Sequence, residues 1–222
     1  MNYFKPTFTN FFRDLSKNNS SLWFNENRKT YENEVKKPFA LFVDELIGRI
    51  QKHEPTIKIK ASEAITRINK DIRFSKDKIP YNTYVGAIIS PTGRKSKEYP
   101  GMYIQLGADK ILIYGGAYML EKENLQKIRT QIAKNPAELD KVLAAASFKK
   151  KYGAIQGEKN KILPPEFKAL VAKQPLIANK SFFFMAELDA KLVTSDKLME
   201  TIIEYYVAGK PMNDFLIKAF EK

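Results

Sequence analysis

Apolar residues in the first fifty positions recur at helical intervals. Phe8, Phe11, Phe12 and Leu15 share one side of a short helix that Thr7 or Thr9 can cap. Asn18 and Asn19 interrupt it, and Ser20 or Ser21 can cap the next. A second stripe runs Phe24, Tyr31, Val35, Phe39, Phe42, Leu46 and Ile50. Pro38 breaks a helix interior but suits a first turn, so the pattern predicts two helices meeting near Lys37.

The period then shortens. "EAITRINKDI", "TYVGAIIS" at 83–90, "MYIQL" at 102–106 and "ILIYGGAYM" at 111–119 are rich in β-branched and aromatic residues separated by turn chemistry. Met102, Ile104 and Leu106 alternate with Tyr103 and Gln105. Helical spacing returns at Leu125, Ile128 and Ile132, and again after Pro136. Residues 148–180 read as irregular and basic, and "SFFFMAEL" at 181–188 reads as one late strand. A capped helix is predicted to end at Gly209, with Pro211 opening another. This order predicts an α+β fold, a mainly antiparallel sheet flanked by helices from both termini. We expect a single domain over 1–222, with N-terminal helices at 8–52, a central sheet at 64–119, then C-terminal helices with the late strand.

Composition narrows the chemistry. The chain of 222 residues is 44% hydrophobic and has no cysteine and one histidine, His53. Thiolate catalysis, disulfides, cysteine-ligated metals and multi-histidine metal sites are excluded, and no metal site is expected. The start lacks a signal-peptide pattern and the longest apolar run is too short to span a bilayer, so the expectation is a cytoplasmic protein without membrane partners. The formal net charge of +13 comes mainly from lysines dispersed along the chain. A solvated surface explains this more simply than nucleic-acid binding, which leans on arginine for base and bidentate phosphate contacts.

One segment concentrates charge. "RINKDIRFSKDKIPY" carries Arg67, Lys70, Arg73, Lys76 and Lys78 against Asp71 and Asp77. As a strand over 65–73 it would place Arg67, Asn69, Asp71 and Arg73 on one face, with Ile68, Ile72 and Phe74 on the other. Same-face neighbours would lie roughly 6.6 Å apart, so Asp71 can reach Arg73, whereas Arg67 and Arg73 would be about 20 Å apart. A helical stripe also fits Arg67, Lys70, Asp71, Phe74, Asp77, Lys78 and Tyr81, but the β-branched residues and Pro80 disfavour it. A loop from Ser75 would let Lys78 and Tyr81 point back toward the charged face. The candidate anion site is therefore Arg67, Asn69, Asp71, Arg73, Asp77, Lys78 and Tyr81, taking a small anionic or phosphate-bearing ligand. The alternatives are a structural salt-bridge network and, from the net charge with "KKK" at 149–151 and "GRKSK" at 93–97, a nucleic-acid-binding module. Magnesium held by Asp71 and Asp77 is disfavoured by the neighbouring cations.

The pattern Arg67, Lys70-Asp71, Arg73-Phe74, Asp77-Lys78, Tyr81 resembles the hallmark of a mainly bacterial family catalogued as domain of unknown function 2461. "NNSSLWFNENRKTYE" at 18–32, "GGAYM" at 115–119 and "GKPMNDFL" at 209–216 resemble other pieces of it. The resemblance implies no catalytic role, cofactor or reaction. Lys70 stands where the family usually has arginine, which removes a planar two-pronged donor. His53, Trp23 with Phe24, and the pair Gly115-Gly116 read more simply as a helix-end residue, core packing and a strand bulge.

Overall fold

The computed structural model describes residues 2–73 and 77–221. Phe74, Ser75 and Lys76, which bear on the expected inner face and on the loop, lie outside the described residues. Contacts divide the chain into two compact units. The first comprises Met1–Arg94, Tyr103–Ile113 and Glu187–Ile203, and the second comprises Lys95–Met102, Tyr114–Ala186 and Glu204–Lys222.

The first unit begins with α1 (Pro6–Lys17), which starts at Pro6 after the extended Lys5. Neither threonine caps it. Thr9 donates to the Pro6 carbonyl at 3.0 Å and Thr7 to the Glu34 carboxylate at 2.8 Å. Pro6 at the first helical position has no N–H to satisfy, and the Phe8 N–H, which a capping side chain would take, bonds the Lys5 carbonyl at 3.0 Å. Ser20 does cap α2 (Ser21–Glu26), accepting from the Trp23 N–H at 3.2 Å. The expected boundary near Lys37 is present, with Pro38 in the first turn of the following helix, but the backbone stays helical across it. After α3 (Arg28–Thr30), a π-helical stretch at Tyr31–Lys36 passes directly into α4 (Lys37–Ile50). The wider π turn relieves the clash that a proline ring otherwise makes with the carbonyl four residues back. The predicted stripes bury Phe8, Phe12, Phe39, Phe42, Leu46 and Ile50 in an aromatic-rich core. Within it Phe8 meets Phe12 edge-on at 5.3 Å.

The sheet contains β1 (Tyr84–Ile89), β2 (Gly101–Gly107), β3 (Lys110–Ala117) and β4 (Phe182–Asp189). Its order is β1-β2-β3-β4, antiparallel and flanked by helices at both ends, so the α+β expectation holds. Residues 65–73 are not one of its strands. The short helix α5 (Ala61–Ala64) precedes them, tied by Asp44 accepting from the Ala61 N–H at 2.9 Å and by Glu63 accepting from the Lys60 N–H at 3.1 Å.

The second unit holds α6 (Lys122–Lys134), α7 (Pro136–Ala144), α8 (Ala146–Tyr152) and α9 (Pro165–Lys168). The supposed irregular stretch thus opens on a helix, which carries the lysine run. Buried Arg129 on α6 donates to the carbonyls of Ile177 at 2.8 Å and Asn179 at 3.1 Å. The last helix, α10 (Leu198–Ile217), runs through both Gly209 and Pro211 without stopping. Pro211 and Val207, four residues earlier, are both exposed, so water can bond the carbonyl that lacks an N–H partner. Gly209 remains because an added Cβ would sit 2.6 Å from the Phe184 ring.

Candidate functional site

The charged segment leaves α5 in extended geometry. Thr66 bonds the Gly86 carbonyl twice, by its N–H at 2.9 Å and its hydroxyl at 3.1 Å. Two isolated antiparallel bridges follow, Ile65 with Ala87 and Asn69 with Tyr81. The second is flanked by Lys70 N–H to Pro80 carbonyl at 2.9 Å and Asn82 N–H to Ile68 carbonyl at 2.8 Å. Pro80 has no N–H to extend that ladder, so the arm stays too short to be a strand. The period of two survives: Arg67, Asn69, Asp71 and Arg73 are exposed, Ile68 is buried and Ile72 is half-buried. These extended residues exclude the helical stripe.

Most of the cations acquire partners within the segment. The Arg73 guanidinium forks onto Asp71, Nε to Oδ1 at 2.9 Å and Nη2 to Oδ2 at 2.6 Å. The Arg73 N–H also donates to Asp71 at 3.2 Å, an Asx-type turn. Arg73 beside it holds the Asp71 carboxyl below the usual carboxylate range, and the same bond raises Arg73. Lys70 and Asp77 lie 3.8 Å apart, and Lys78 donates to the Ile72 carbonyl at 3.0 Å. The Arg67 guanidinium has no hydrogen-bond or ion-pair partner among the described residues. These groups sit in water: the side chains of Arg73 and Asp71 are 77% and 58% exposed. The structural alternative in its buried form, a dry ionic lattice, does not describe them.

Tyr81 does not join the charged face. It is 6% exposed and stacks on Phe24, with ring centroids 4.0 Å apart and planes 14° apart. Its apolar ring gains more from the core than from a charged rim. Because Tyr81 faces Asn69 as a non-bonded pair, its own N–H and carbonyl point the other way. Asn19 takes both, accepting from the N–H at 3.1 Å and donating to the carbonyl at 3.0 Å.

Asn19 was missed by the sequence reading, which took it only as a helix terminator. Arg94 was read only as part of the basic run at 93–97. Its Nη1 donates to the carbonyls of Ser62 at 2.6 Å and Ile65 at 2.8 Å, clamping the start of the charged segment. Gly93 beside it, at φ +55°, leaves no room for a Cβ, which would lie 2.7 Å from the Glu63 carbonyl oxygen. "TG" before an arginine signals a turn, but nothing in it reveals the destination of the guanidinium.

In the second unit the pieces "GGAYM" and "GKPMNDFL" also meet. Buried Asn213 accepts from the Gly116 N–H at 2.8 Å and donates to the Gly101 carbonyl at 3.2 Å. Gly116 has φ +97°, and a Cβ on it would fall 2.0 Å from the Phe182 carbonyl oxygen. The glycine pair thus serves close backbone approach rather than a phosphate. Of the lysine run, Lys151 pairs with Glu204 at 3.0 Å and lies over the Tyr205 ring at 4.2 Å, while Lys149 and Lys150 are exposed.

Among the described residues no group of three or more His, Asp or Glu side chains is placed to hold a metal ion. No helix among them is long and apolar enough to cross a membrane. No curated protein and no solved structure matches the chain. A family model does match, across residues 7–215, and the chain therefore belongs to the family described as conserved hypothetical protein DUF2461.

Proposed function

We propose that the segment from Arg67 to Lys78 is an anion-binding ledge that takes a small phosphate-bearing ligand. The observation that carries this reading is the exposed side of the segment. Its one guanidinium without a partner among the described residues, Arg67, lies on the same alternating face as Arg73. The segment has five cations to two anions, so pairing within it leaves positive charge over. Arg94 at one end and Asn19 at the other tie it to the first unit, which reduces the ordering cost of binding. Arginine suits phosphate oxygens because its planar N–H groups match their geometry. Tyr81 drops out of the binding set, and Asp71 and Asp77 orient Arg73 and Lys70.

Nucleic-acid binding has less support. It called on the arginine and lysines at 93–97 and on 149–151, and Arg94 and Lys151 are engaged within the fold.

Thermal unfolding with a broad panel of phosphate compounds tests the ligand reading. At least one compound should raise the midpoint, and Arg67→Ala should remove the rise. A panel that leaves the midpoint flat would reject the ledge as a ligand site.

A further inference from the structure

Gly48 lies inside α4, where glycine is the poorest helix former after proline. A Cβ at Gly48 would meet no atom within 4 Å, so no packing in the protein calls for glycine there. The position opens on a shallow, solvent-open depression of about 670 Å³ lined by Glu45, Gly48, Arg49, Lys52, His53 and Ile203. All of these residues belong to the first unit.

Hydrogen-bond accounting indicates what fits. The Tyr3 hydroxyl lies beside the Glu45 carboxylate. Arg49 donates to the same carboxylate through Nε at 3.1 Å and Nη2 at 2.8 Å, and through Nη1 to Glu200. The carboxylates at the rim are therefore engaged. Donors are left over: a guanidinium has five N–H groups, of which three are matched here. The Lys52 ammonium has no partner among the described residues. A rim with surplus donors, an apolar wall at Ile203 and bare helix backbone at Gly48 suits a ligand with anionic oxygens at one end and a small carbon skeleton at the other.

We propose that this depression binds a small organic anion, its charged oxygens on Lys52 and the outer edge of Arg49, its carbon skeleton over Gly48 and Ile203. The site is separate from the ledge at Arg67–Lys78 and does not depend on it.

His53, the chain's one histidine, lines the depression and supplies a single imidazole C2–H resonance for NMR. The protein is titrated at fixed pH with succinate and, separately, with glycerol 3-phosphate; these two arms distinguish a carboxylate from a phosphate ligand. A saturable shift of the His53 resonance is expected with at least one. Lys52→Ala should weaken it about ten-fold, the loss expected for one charge-assisted hydrogen bond. Gly48→Leu, which projects a side chain over the place proposed for the carbon skeleton from a helix position with open space around its Cβ, should weaken it with the circular dichroism spectrum unchanged. Arg67→Ala should leave the shift intact, which keeps the result independent of the ledge. The absence of a saturable shift with both anions, or titrations unaltered by both Lys52→Ala and Gly48→Leu, would overturn the assignment.

Discussion

Replacing Asn19 by alanine probes the joint between the N-terminal helices and the charged segment. The side chain makes two bonds to the Tyr81 backbone, at 3.0 and 3.1 Å. Each is worth a net 0.5–1.5 kcal/mol by typical values, so losing both should cost about 2 kcal/mol. The cost should not fall much lower, because Tyr81 is 6% exposed and water reaches its backbone poorly once the amide is gone. For a chain of this size about 2 kcal/mol corresponds to roughly 4–8 °C in Tm. Trp23, the chain's one tryptophan, sits in α2 with its ring 5.6 Å from Phe11 and reports the unfolding of this unit by fluorescence. Urea titration of Asn19→Ala should show the lower midpoint with an unchanged slope. Asn19→Asp keeps the acceptor for the Tyr81 N–H but loses the donor, and should fall between wild type and alanine. A midpoint within about 0.5 kcal/mol of wild type for Asn19→Ala would refute the clamp, since distant surface changes routinely fall in that range.

Other outcomes follow from the same geometry. Gly116→Ala should destabilise by at least about 2 kcal/mol in thermal unfolding, because φ is +97° and the new Cβ would lie 2.0 Å from a carbonyl oxygen. Arg129→Met should cost on the order of 2 kcal/mol in denaturant titration, as it strips the donor from the carbonyls of Ile177 and Asn179. Burial, with Glu45 beside it, raises the Tyr3 hydroxyl from 10.0 to about 12. The folded state then holds this proton more tightly, so the contribution is present below pH 10 and lost as pH rises toward 12. Spectrophotometric titration of Tyr3→Phe should lack one phenol of the late-titrating class. Glu45 shifts the other way, held low first by the Tyr3 hydroxyl and then by Arg49. Its contribution is present above its ordinary value of 4.5 and fades as pH falls through the lowered one, so Glu45→Gln should flatten the acid limb of the stability–pH curve.

The helices were legible because their stripes are long: Phe8 to Leu15 and Phe39 to Ile50 repeat often enough for the period to show. Their ends were less so. Pro38 does sit in the first turn of α4, though a π turn joins that helix to the one before, whereas Pro211 looks like a start and its solvent-facing position lets α10 continue. The alternation of Arg67, Ile68, Asn69 and Asp71 was readable, since it depends only on neighbours in the chain. That the segment makes two bridges rather than a strand was not, because pairing depends on where Ala87 and Tyr81 lie in space. Tyr81 was misplaced for the same reason: a tyrosine near charges reads as polar until its ring is found on Phe24. Asn19 and Arg94 act on backbone groups 62 and 32 or fewer residues away, and hydrogen bonds to backbone carry no sequence signature at the receiving end.

The proposed ledge turns on Arg67, which is exposed and whose guanidinium has no partner among the described residues. NMR titration of the arginine side-chain Nε–H resonances with inorganic phosphate and a phosphate monoester tests it most directly. A saturable shift is expected for Arg67, with little change for Arg94, whose guanidinium is held by two carbonyls. An Arg67 resonance that stays still, or moves only in step with every other exposed arginine, would contradict it.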